Sequence, residues 1–340
     1  MNMKQWMADL IDNEEKPAMP ILSFPSIQKM GITVAELINN SDKQAEGMKI
    51  IADAFPTAAS VSLMDLSLEA EAFGSPIYVS EDEVPTVVGA IVSDENEAKA
   101  LQVPQIGAGR TQIYIDAIEK ACRLITDRPV LAGVIGPFSL AGRLMGVSDT
   151  LVYCFDEPDM VHIVLEKAVQ FLIRYCNEYK RAGAQGIVMA EPLAGLLSPE
   201  LAEEFSAGYI KKIVEAVQTD EFIIVYHNCG KSALKTIDTI ARNGCSMFHF
   251  GNAVDMEEIA AHIPGNCVVM GNVDPAGQFR NGTPESVYRA TRDVMEKNCK
   301  YKNFVISSGC DIPPMSPWKN IEAFFKAADD YYAAASVKAK

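Results

Sequence analysis

The sequence lacks any run that approaches the roughly 18 uninterrupted apolar residues of a membrane-spanning helix. Its first 17 residues, MNMKQWMADLIDNEEKP, are polar and acidic. They contain no basic stretch followed by an apolar one, which a secretory signal would have. We therefore expect a cytoplasmic protein with no membrane partner.

Positive charge is also scarce. The chain has 30 Lys and Arg against 45 Asp and Glu, which gives a formal net charge of −15. A protein of this charge would repel a polyphosphate ligand at every approach. We therefore expect no nucleic-acid partner.

Cysteine pairs at close spacing are absent as well. The eight cysteines are scattered, and no two of them form a CxxC motif. Without a secretory context, such cysteines do not indicate a disulfide framework. Most of them should be reduced, buried side chains that behave as small apolar groups.

The chain has no GxGxxG motif after an early strand, which counts against a dinucleotide-binding fold. It also lacks internal repeats and linkers long enough to separate domains. What it contains is eight short apolar runs, each followed by a helical stretch. Because the runs are continuously apolar rather than alternating, they are typical of parallel strands buried on both faces. They are PILSFP (20–25), VSLMDL (61–66), VLAGVIGP (130–137), GIVMAEP (186–192), FIIVYHNCG (222–230), MFHFGN (247–252), VVMGNVDP (268–275) and FVISSGC (304–310).

Amphipathic stretches at helical spacing lie between these runs, most clearly at 156–183, 198–218 and 283–298. The alternation predicts an α/β fold, a single (β/α)₈ TIM barrel over residues 1–340 with an N-terminal extension. A doubly wound open sheet is the alternative. Residues 67–129 are irregular for one barrel step, and we expect them to form an insertion over the C-terminal face.

Metal-ligand residue types stand at the ends of two of the predicted strands. FIIVYHNCG ends with His227 and Cys229, and FVISSGC ends with Cys310. All strand C-termini of a barrel converge on one face, so these three side chains can meet. Three protein ligands with an open fourth position are typical of a catalytic zinc site. The alternative is two buried thiols and a histidine that is hydrogen-bonded in the core.

Longer motifs carry a family resemblance. They are DLSLEAEAFGSPI (65–77), GVIGPFSLAGRLMG (133–146), EPLAGLLSPE (191–200), HNCG (227–230), MGNVDP (270–275), NGTPESVY (281–288) and SSGCDIPPMSPWKNIEAF (307–324). From about residue 15 to 332 the chain resembles the uroporphyrinogen decarboxylase superfamily, particularly its zinc-dependent, corrinoid-linked branch, the methylcobalamin:coenzyme M methyltransferases. The zinc pattern of that branch, His-x-Cys and then a distant Cys, falls on His227, Cys229 and Cys310.

Two departures separate the chain from the true decarboxylases. Their arginine-rich substrate segment, of the type RQAGRY, has no counterpart here. Their Gly-His-Gly-Ile pattern is replaced by Gly309-Cys310-Asp311-Ile312. Since a tetra-anionic porphyrinogen needs fixed cations, these departures favour the methyltransferase branch.

The resemblance implies that Zn²⁺ activates a small thiol, such as coenzyme M, as a thiolate. The methyl donor would be a methylated corrinoid presented in trans by a separate small corrinoid protein. Two alternatives stay open. One is a decarboxylase-like lyase acting on a porphyrinogen or a smaller acid, and the other is a non-catalytic partner of the corrinoid protein.

Two carboxylates at strand ends are candidate catalytic residues. Glu191 is either a fourth ligand or proton acceptor for the thiol, or a cap of the following turn. Asp274 either orients His227 from behind or caps the loop before Pro275.

Other candidates concern anion binding and a second histidine. Gly136 opens a Gly-rich turn into a helix whose backbone N–H groups could face an anionic tail or a corrinoid side chain, although close packing of the turn is the preferred explanation. Arg143 is a candidate partner for the same anion, as are Arg110 and Lys231. His249 lies within an apolar run, so we expect a core histidine with a backbone hydrogen bond rather than a metal ligand.

Overall fold

The computed structural model describes residues 1–338. Its strands are β1 (Ser60–Val61), β2 (Ile77–Tyr78), β3 (Thr86–Val87), β4 (Val130–Ile135), β5 (Gly186–Ala190), β6 (Ile223–Asn228), β7 (Met247–Phe250), β8 (Val268–Val273) and β9 (Phe304–Ser308). Its α-helices are α1 (Met3–Asp12), α2 (Ile27–Met30), α3 (Val34–Ile38), α4 (Ser41–Ala54), α5 (Leu68–Ala72), α6 (Glu95–Ala100), α7 (Thr111–Leu124), α8 (Pro137–Met145), α9 (Val147–Asp156), α10 (Pro158–Arg181), α11 (Pro199–Ala202), α12 (Gly208–Val217), α13 (Ile237–Ala241), α14 (Met256–Ala260), α15 (Pro284–Asn298) and α16 (Trp318–Lys338).

The strands form a curled parallel sheet in the order β1-β4-β5-β6-β7-β8-β9. The order follows the chain without a reversal, whereas a doubly wound sheet reverses at its switch point. Every strand from β4 to β9 is buried along its whole length, as the continuously apolar runs predict. The expected barrel architecture is confirmed, and the open-sheet alternative is wrong.

An extended segment before the predicted first strand closes the barrel. The N–H of Met19 donates to the carbonyl of Ile306 in β9 at 3.0 Å. On the other side, the N–H of Ala58 donates to the carbonyl of Ala18 at 2.9 Å, just before β1. The prediction of a strand over 20–25 was wrong in extent, because Pro20 has no N–H to donate and residues 24–26 turn into a 3₁₀ helix.

The strand predicted over 61–66 is also shorter than expected. Ladder pairing of β1 with β4 ends at Val61, opposite Leu131. Beyond it, the N–H of Gly133 donates to the hydroxyl of Ser62 at 2.9 Å instead of to a backbone carbonyl. The chain then leaves the sheet, and the insertion begins here.

Two apolar layers hold the barrel together. The outer layer packs the helices against the strands, and the inner layer fills the barrel with side chains such as Val188, Val225 and Met247. Met3 and Met7 of α1 belong to the inner layer, so this helix closes the N-terminal end of the barrel. Burying one such side chain stabilises the fold by roughly 1.5–3 kcal/mol.

The insertion follows β1 and contains α5, the antiparallel β2–β3 hairpin and α6. It is tied to the C-terminal end of the barrel by bonds from the N–H groups of Ile91 and Val92 to the carbonyl of Leu144. The predicted insertion was too long at its end, because residues 111–124 form α7, which packs against α4 and β4 as an ordinary barrel helix.

A buried ion cluster anchors the insertion. The guanidinium of Arg110 donates to Asp65 at 2.6 Å and to Glu71 at 2.7 Å. The hydroxyl of Tyr114 donates to the same Asp65 oxygen at 2.8 Å. Arg110 is therefore committed to ion pairs within the fold, which speaks against its use as an anion-binding residue for a substrate.

Within residues 1–338, no helix has both the length and the apolar character needed to cross a bilayer.

A buried carboxyl of α5 should make stability depend on pH. One oxygen of Glu69 accepts the N–H of Ile135, and the other has no partner among the described residues. Burial raises the pKa of Glu69 from its ordinary 4.5 to about 8. The folded state therefore retains a proton that the unfolded state releases, and stability falls as pH rises from 4.5 to about 8.

We expect Glu69→Gln, which cannot ionise, to lack this fall. The variant should match the wild type near pH 5 and exceed it in free energy of unfolding near pH 9, with about 1.4 kcal/mol for each unit of pKa difference as the upper bound. Denaturant titrations at the two pH values measure the effect. Parallel pH profiles for the two proteins would contradict it.

Candidate metal centre

The three predicted ligands lie together at the C-terminal end of the barrel. His227 is the next-to-last residue of β6, Cys229 follows that strand, and Cys310 follows β9. Their ligand atoms lie within 4.8 Å of one another, and the imidazole Nε2 of His227 is 3.3 Å from the Sγ of Cys310. Strands β6 and β9 are separated by β7 and β8, so the curl of the sheet brings the ligands together.

A glycine on the neighbouring strand end makes room for one ligand. A Cβ atom at Gly251 would lie 2.5 Å from the Cβ of Cys229 and 3.2 Å from the carbonyl of Gly309. Any larger residue would push the loops after β6 and β9 apart. Gly251 thus permits the close approach of the two segments that carry the thiols.

Behind His227 stands a second histidine. The Nδ1 atoms of His227 and His249 are 2.7 Å apart, and the Nε2 of His249 is 2.7 Å from the hydroxyl of Ser307. The two histidines occupy paired positions of the β6–β7 ladder. His249 is buried, as expected, and besides these two side chains its ring bonds to the backbone of Ser308. Burial and the neighbouring His227 hold the pKa of His249 well below its usual value.

The two thiols of the centre differ from the rest of the cysteines. A hydrogen bond from the Cys310 thiol lowers the pKa of Cys229, and the same contact together with burial raises that of Cys310. The shared proton of the pair is therefore favoured on Cys310 rather than on Cys229. Burial raises the pKa of each of the other six cysteines: 122, 154, 176, 245, 267 and 299. Of the eight cysteines, all within the described residues, only Cys229 has surroundings that favour the thiolate.

Glu191 lies one strand away from the ligands and is wholly buried. Its carboxylate accepts the N–H groups of Phe138 and Ser139 at 3.0 and 2.6 Å, at the first turn of α8. Burial raises the pKa of Glu191 to about 7. The carboxylate thus caps the helix of the preceding barrel step, whereas the sequence suggested either the metal or its own following turn.

This contact accounts for the glycine at position 136. The sequence left the start of α8 either to an anion from outside or to packing of the turn, and two of its N–H groups bond to Glu191 within the chain. A Cβ atom at Gly136 would lie 2.6 Å from the carboxylate of Glu191. Glycine is needed at this position for the approach of that side chain.

Residues 17–331 match the family model described as uroporphyrinogen decarboxylase (URO-D). The chain belongs to the uroporphyrinogen decarboxylase family. This confirms the membership expected from the sequence motifs.

Relatives in this family carry two kinds of name. A methylcobamide:CoM methyltransferase MtbA of Methanosarcina acetivorans is 27% identical over 301 residues, which are 84% of this chain and 85% of the relative. A uroporphyrinogen decarboxylase of Coxiella burnetii is 24% identical over 286 residues, 82% of this chain and 78% of the relative. A solved structure named as a methyltransferase from Methanosarcina mazei superposes with a TM-score of 0.84 at 21% identity, over 98% of this chain and 99% of the other.

In this barrel of the uroporphyrinogen decarboxylase family, Asp274 caps the helical turn that begins at Pro275. Its carboxylate accepts the N–H groups of Ala276 and Gly277, both at 2.9 Å. One of the two roles considered for Asp274 was to orient His227 from behind. The residue that contacts the Nδ1 of His227 is instead His249. The sequence contains one indication of the contact between the two histidines, since both lie near the ends of consecutive apolar runs.

Arg143 is the remaining candidate for anion binding. It is half-buried on α8, and it makes no hydrogen bond or ion pair within the part of the chain that the structure describes. Burial lowers its pKa, although the guanidinium stays charged at neutral pH. Lys231, the other candidate, is exposed.

The fit between Gly136 and Glu191 gives a stability prediction. Gly136→Ala should displace the carboxylate from the first turn of α8 and leave buried N–H groups unpaired, at a cost of about 1–3 kcal/mol. Gly208→Ala is the matched control, because its new Cβ atom would meet nothing closer than 4.0 Å and helix propensity favours alanine by roughly 1 kcal/mol. Denaturant unfolding compares the two, and an equal effect of both changes would refute the assigned contact.

Proposed function

We propose that the chain is a zinc-dependent methyltransferase that moves a methyl group from a methylated corrinoid, bound to a separate small protein, to a thiol such as coenzyme M. The observation that supports it most is the meeting of His227, Cys229 and Cys310 within 4.8 Å at the C-terminal end of the barrel. One imidazole and two thiols form a three-ligand set with a fourth position left for a substrate, which is the pattern of catalytic zinc.

The donor set suits alkyl transfer. When bound, zinc supplies a Lewis acid that keeps the substrate sulfur deprotonated at neutral pH. Cys229 and Cys310 as thiolates, with neutral His227, balance the formal charge of a divalent ion. The substrate sulfur therefore keeps its full negative charge and its nucleophilicity, which three imidazole ligands would weaken.

The transfer balances without a further reactant. The thiol releases its proton to solvent, its sulfur forms a bond to the methyl carbon, and the carbon–cobalt bond breaks with both electrons left on cobalt. Arg143, a half-buried cation without a partner among the described residues, is the candidate to hold an anionic group at the other end of the thiol substrate. Glu191, with its carboxylate committed to α8, acts as a support of the site and not as a ligand in this proposal.

A separate corrinoid protein is favoured by the surface around the centre. Among the described residues, most of the exposed large apolar side chains lie in segments that follow strand C-termini. This apolar rim comprises Tyr78, Val88, Val147, Val152, Phe155, Leu196 and Met315. In this proposal, a partner that brings a methylcorrinoid to the ligands from the side of the strand C-termini would cover the rim.

A second candidate function is a decarboxylase-like lyase, which the 24% identity to a uroporphyrinogen decarboxylase supports. It requires cations for a polyanionic substrate, and Arg110 is already paired with Asp65 and Glu71. A lyase of this kind predicts turnover without zinc and without a thiol.

The central test combines metal content with methyl transfer. Purified protein is incubated without oxygen with free methylcobalamin and a panel of thiols, including coenzyme M, while the corrinoid spectrum is followed. We expect methyl loss that depends on one thiol. Cys310→Ala should lose both zinc and activity by more than the roughly 10–100-fold typical of removing an outer-shell partner.

Cys267→Ala is the matched control, because this cysteine precedes β8 at the opposite end of the barrel. It should keep zinc and activity. Wild-type protein without stoichiometric zinc and without thiol-dependent methyl loss would sink the proposal and favour the lyase. Corrinoid-protein binding that survives in Cys310→Ala, with no turnover in the wild type, would instead indicate a non-catalytic partner.

The partner surface has its own test. The double variant Val152→Ser, Phe155→Ser on α9 should raise the KM for a methylated small corrinoid protein from the source organism at least several-fold, since apolar contacts at the centre of an interface dominate its affinity. Turnover with free methylcobalamin should stay unchanged. Leu124→Ser, an exposed leucine at the end of α7 away from this face, is the control. Equal loss with both methyl donors would count against the rim as the docking surface.

A further inference from the structure

A row of buried hydrogen bonds leads from the closing segment of the barrel to the metal centre. The hydroxyl of Ser307 donates to the carbonyl of Met19 at 2.8 Å. The same oxygen is 2.7 Å from the Nε2 of His249, whose Nδ1 is 2.7 Å from the Nδ1 of His227. The three side chains are at most 2% exposed, so neighbours rather than water decide where their protons lie.

The protons of this row can be counted from one end. A carbonyl oxygen only accepts, so the single hydroxyl proton of Ser307 points to Met19. The oxygen of Ser307 is then free only to accept, and the Nε2 of His249 must carry the proton between them. Two lone pairs facing each other at 2.7 Å would repel.

The same count fixes His227. No carboxylate is bonded to His249, and a charged imidazolium would be costly at a site this deeply buried, so His249 is neutral. With its proton on Nε2, the Nδ1 of His249 is a lone pair. The Nδ1 of His227 therefore carries a proton, and its Nε2 is a free lone pair 3.3 Å from Cys310.

We propose that His249 is a positioning residue that holds His227 in the one tautomer whose Nε2 can bind the metal, with Ser307 and the Met19 carbonyl setting the direction of the row. The proposal rests on the metal centre proposed above. Metal-bound histidines more often donate to a carboxylate or a backbone carbonyl. A neutral imidazole in that place adds no charge, so the balance set by Cys229 and Cys310 is preserved.

The chain has four histidines, which makes the tautomers measurable. Protein with ¹⁵N-labelled histidine, studied as isolated and after removal of metal by a chelator, gives long-range ¹H–¹⁵N spectra that distinguish Nδ1–H from Nε2–H. We expect His227 to show Nδ1–H in both forms. Zinc affinity is measured separately by competition with a chromophoric chelator.

Three variants separate positioning from packing. His249→Phe fills the space but accepts no hydrogen bond, and we expect His227 to lose its uniform Nδ1–H pattern and zinc affinity to fall about 10–100-fold. His249→Asn keeps an acceptor near the Nδ1 position, so it should retain the tautomer and most of the affinity. Ser307→Ala keeps the imidazole of His249 but removes the hydroxyl that accepts its Nε2 proton. It should therefore give a mixture of tautomers for His249 and His227. His162→Phe, on α10, is the control and the means of assignment.

The outcomes distinguish this inference from the function on which it rests. An Nε2–H pattern for His227 in metal-free wild type would overturn the inference, even with zinc bound and methyl transfer intact. A His249→Phe variant that binds zinc as tightly as the wild type would also overturn it. Wild-type protein that shows the expected tautomer but binds no zinc would overturn the metal centre itself, and with it any positioning role of His249.

Discussion

Closure of the sheet by Ala18 and Met19 is the constraint on which the rest of the site depends. His227 and Cys310 come from strands that are separated by two others, and only a curled sheet brings their ends within reach of one ion. Met19 bonds on one side to β9, which carries Cys310, and its carbonyl also receives the Ser307 hydroxyl. The segment that closes the barrel therefore also contacts the row of hydrogen bonds behind the ligand histidine.

The sequence was sufficient to predict those features of the site that depend on the position of a residue along its own strand. His227, Cys229 and Cys310 were predicted together because residue type and strand end are both read from one chain. It was insufficient for contacts between strands. His249 pairs with His227 through the lateral register of β6 and β7, and Glu191 reaches α8 across a different barrel step. Neither contact has a spacing in the sequence, which suggested for His249 only a backbone bond and for Glu191 the metal, the thiol or its own following turn.

The chain has relatives of two names, and the charges of its own residues bear on the choice between the two proposed functions. A polyanionic substrate needs several free cations near the strand ends, but here Arg110 is neutralised inside the insertion and the N-terminal turn of α8 is filled by Glu191. Arg143 is a half-buried cation without a partner in the described chain. These charges favour the proposed small substrate with one anionic group over a macrocycle with four carboxylates.

Helix α1 gives the barrel a floor, since Met3 and Met7 fill the end opposite the metal centre. In the proposed reaction, this floor leaves the strand C-termini as the side from which both substrates would approach. A small thiol would then bind before the much larger corrinoid protein covers the metal centre, and the methylated product would leave after that protein. The proposed function therefore implies ordered steady-state kinetics, with the macromolecular donor second to bind and first to leave.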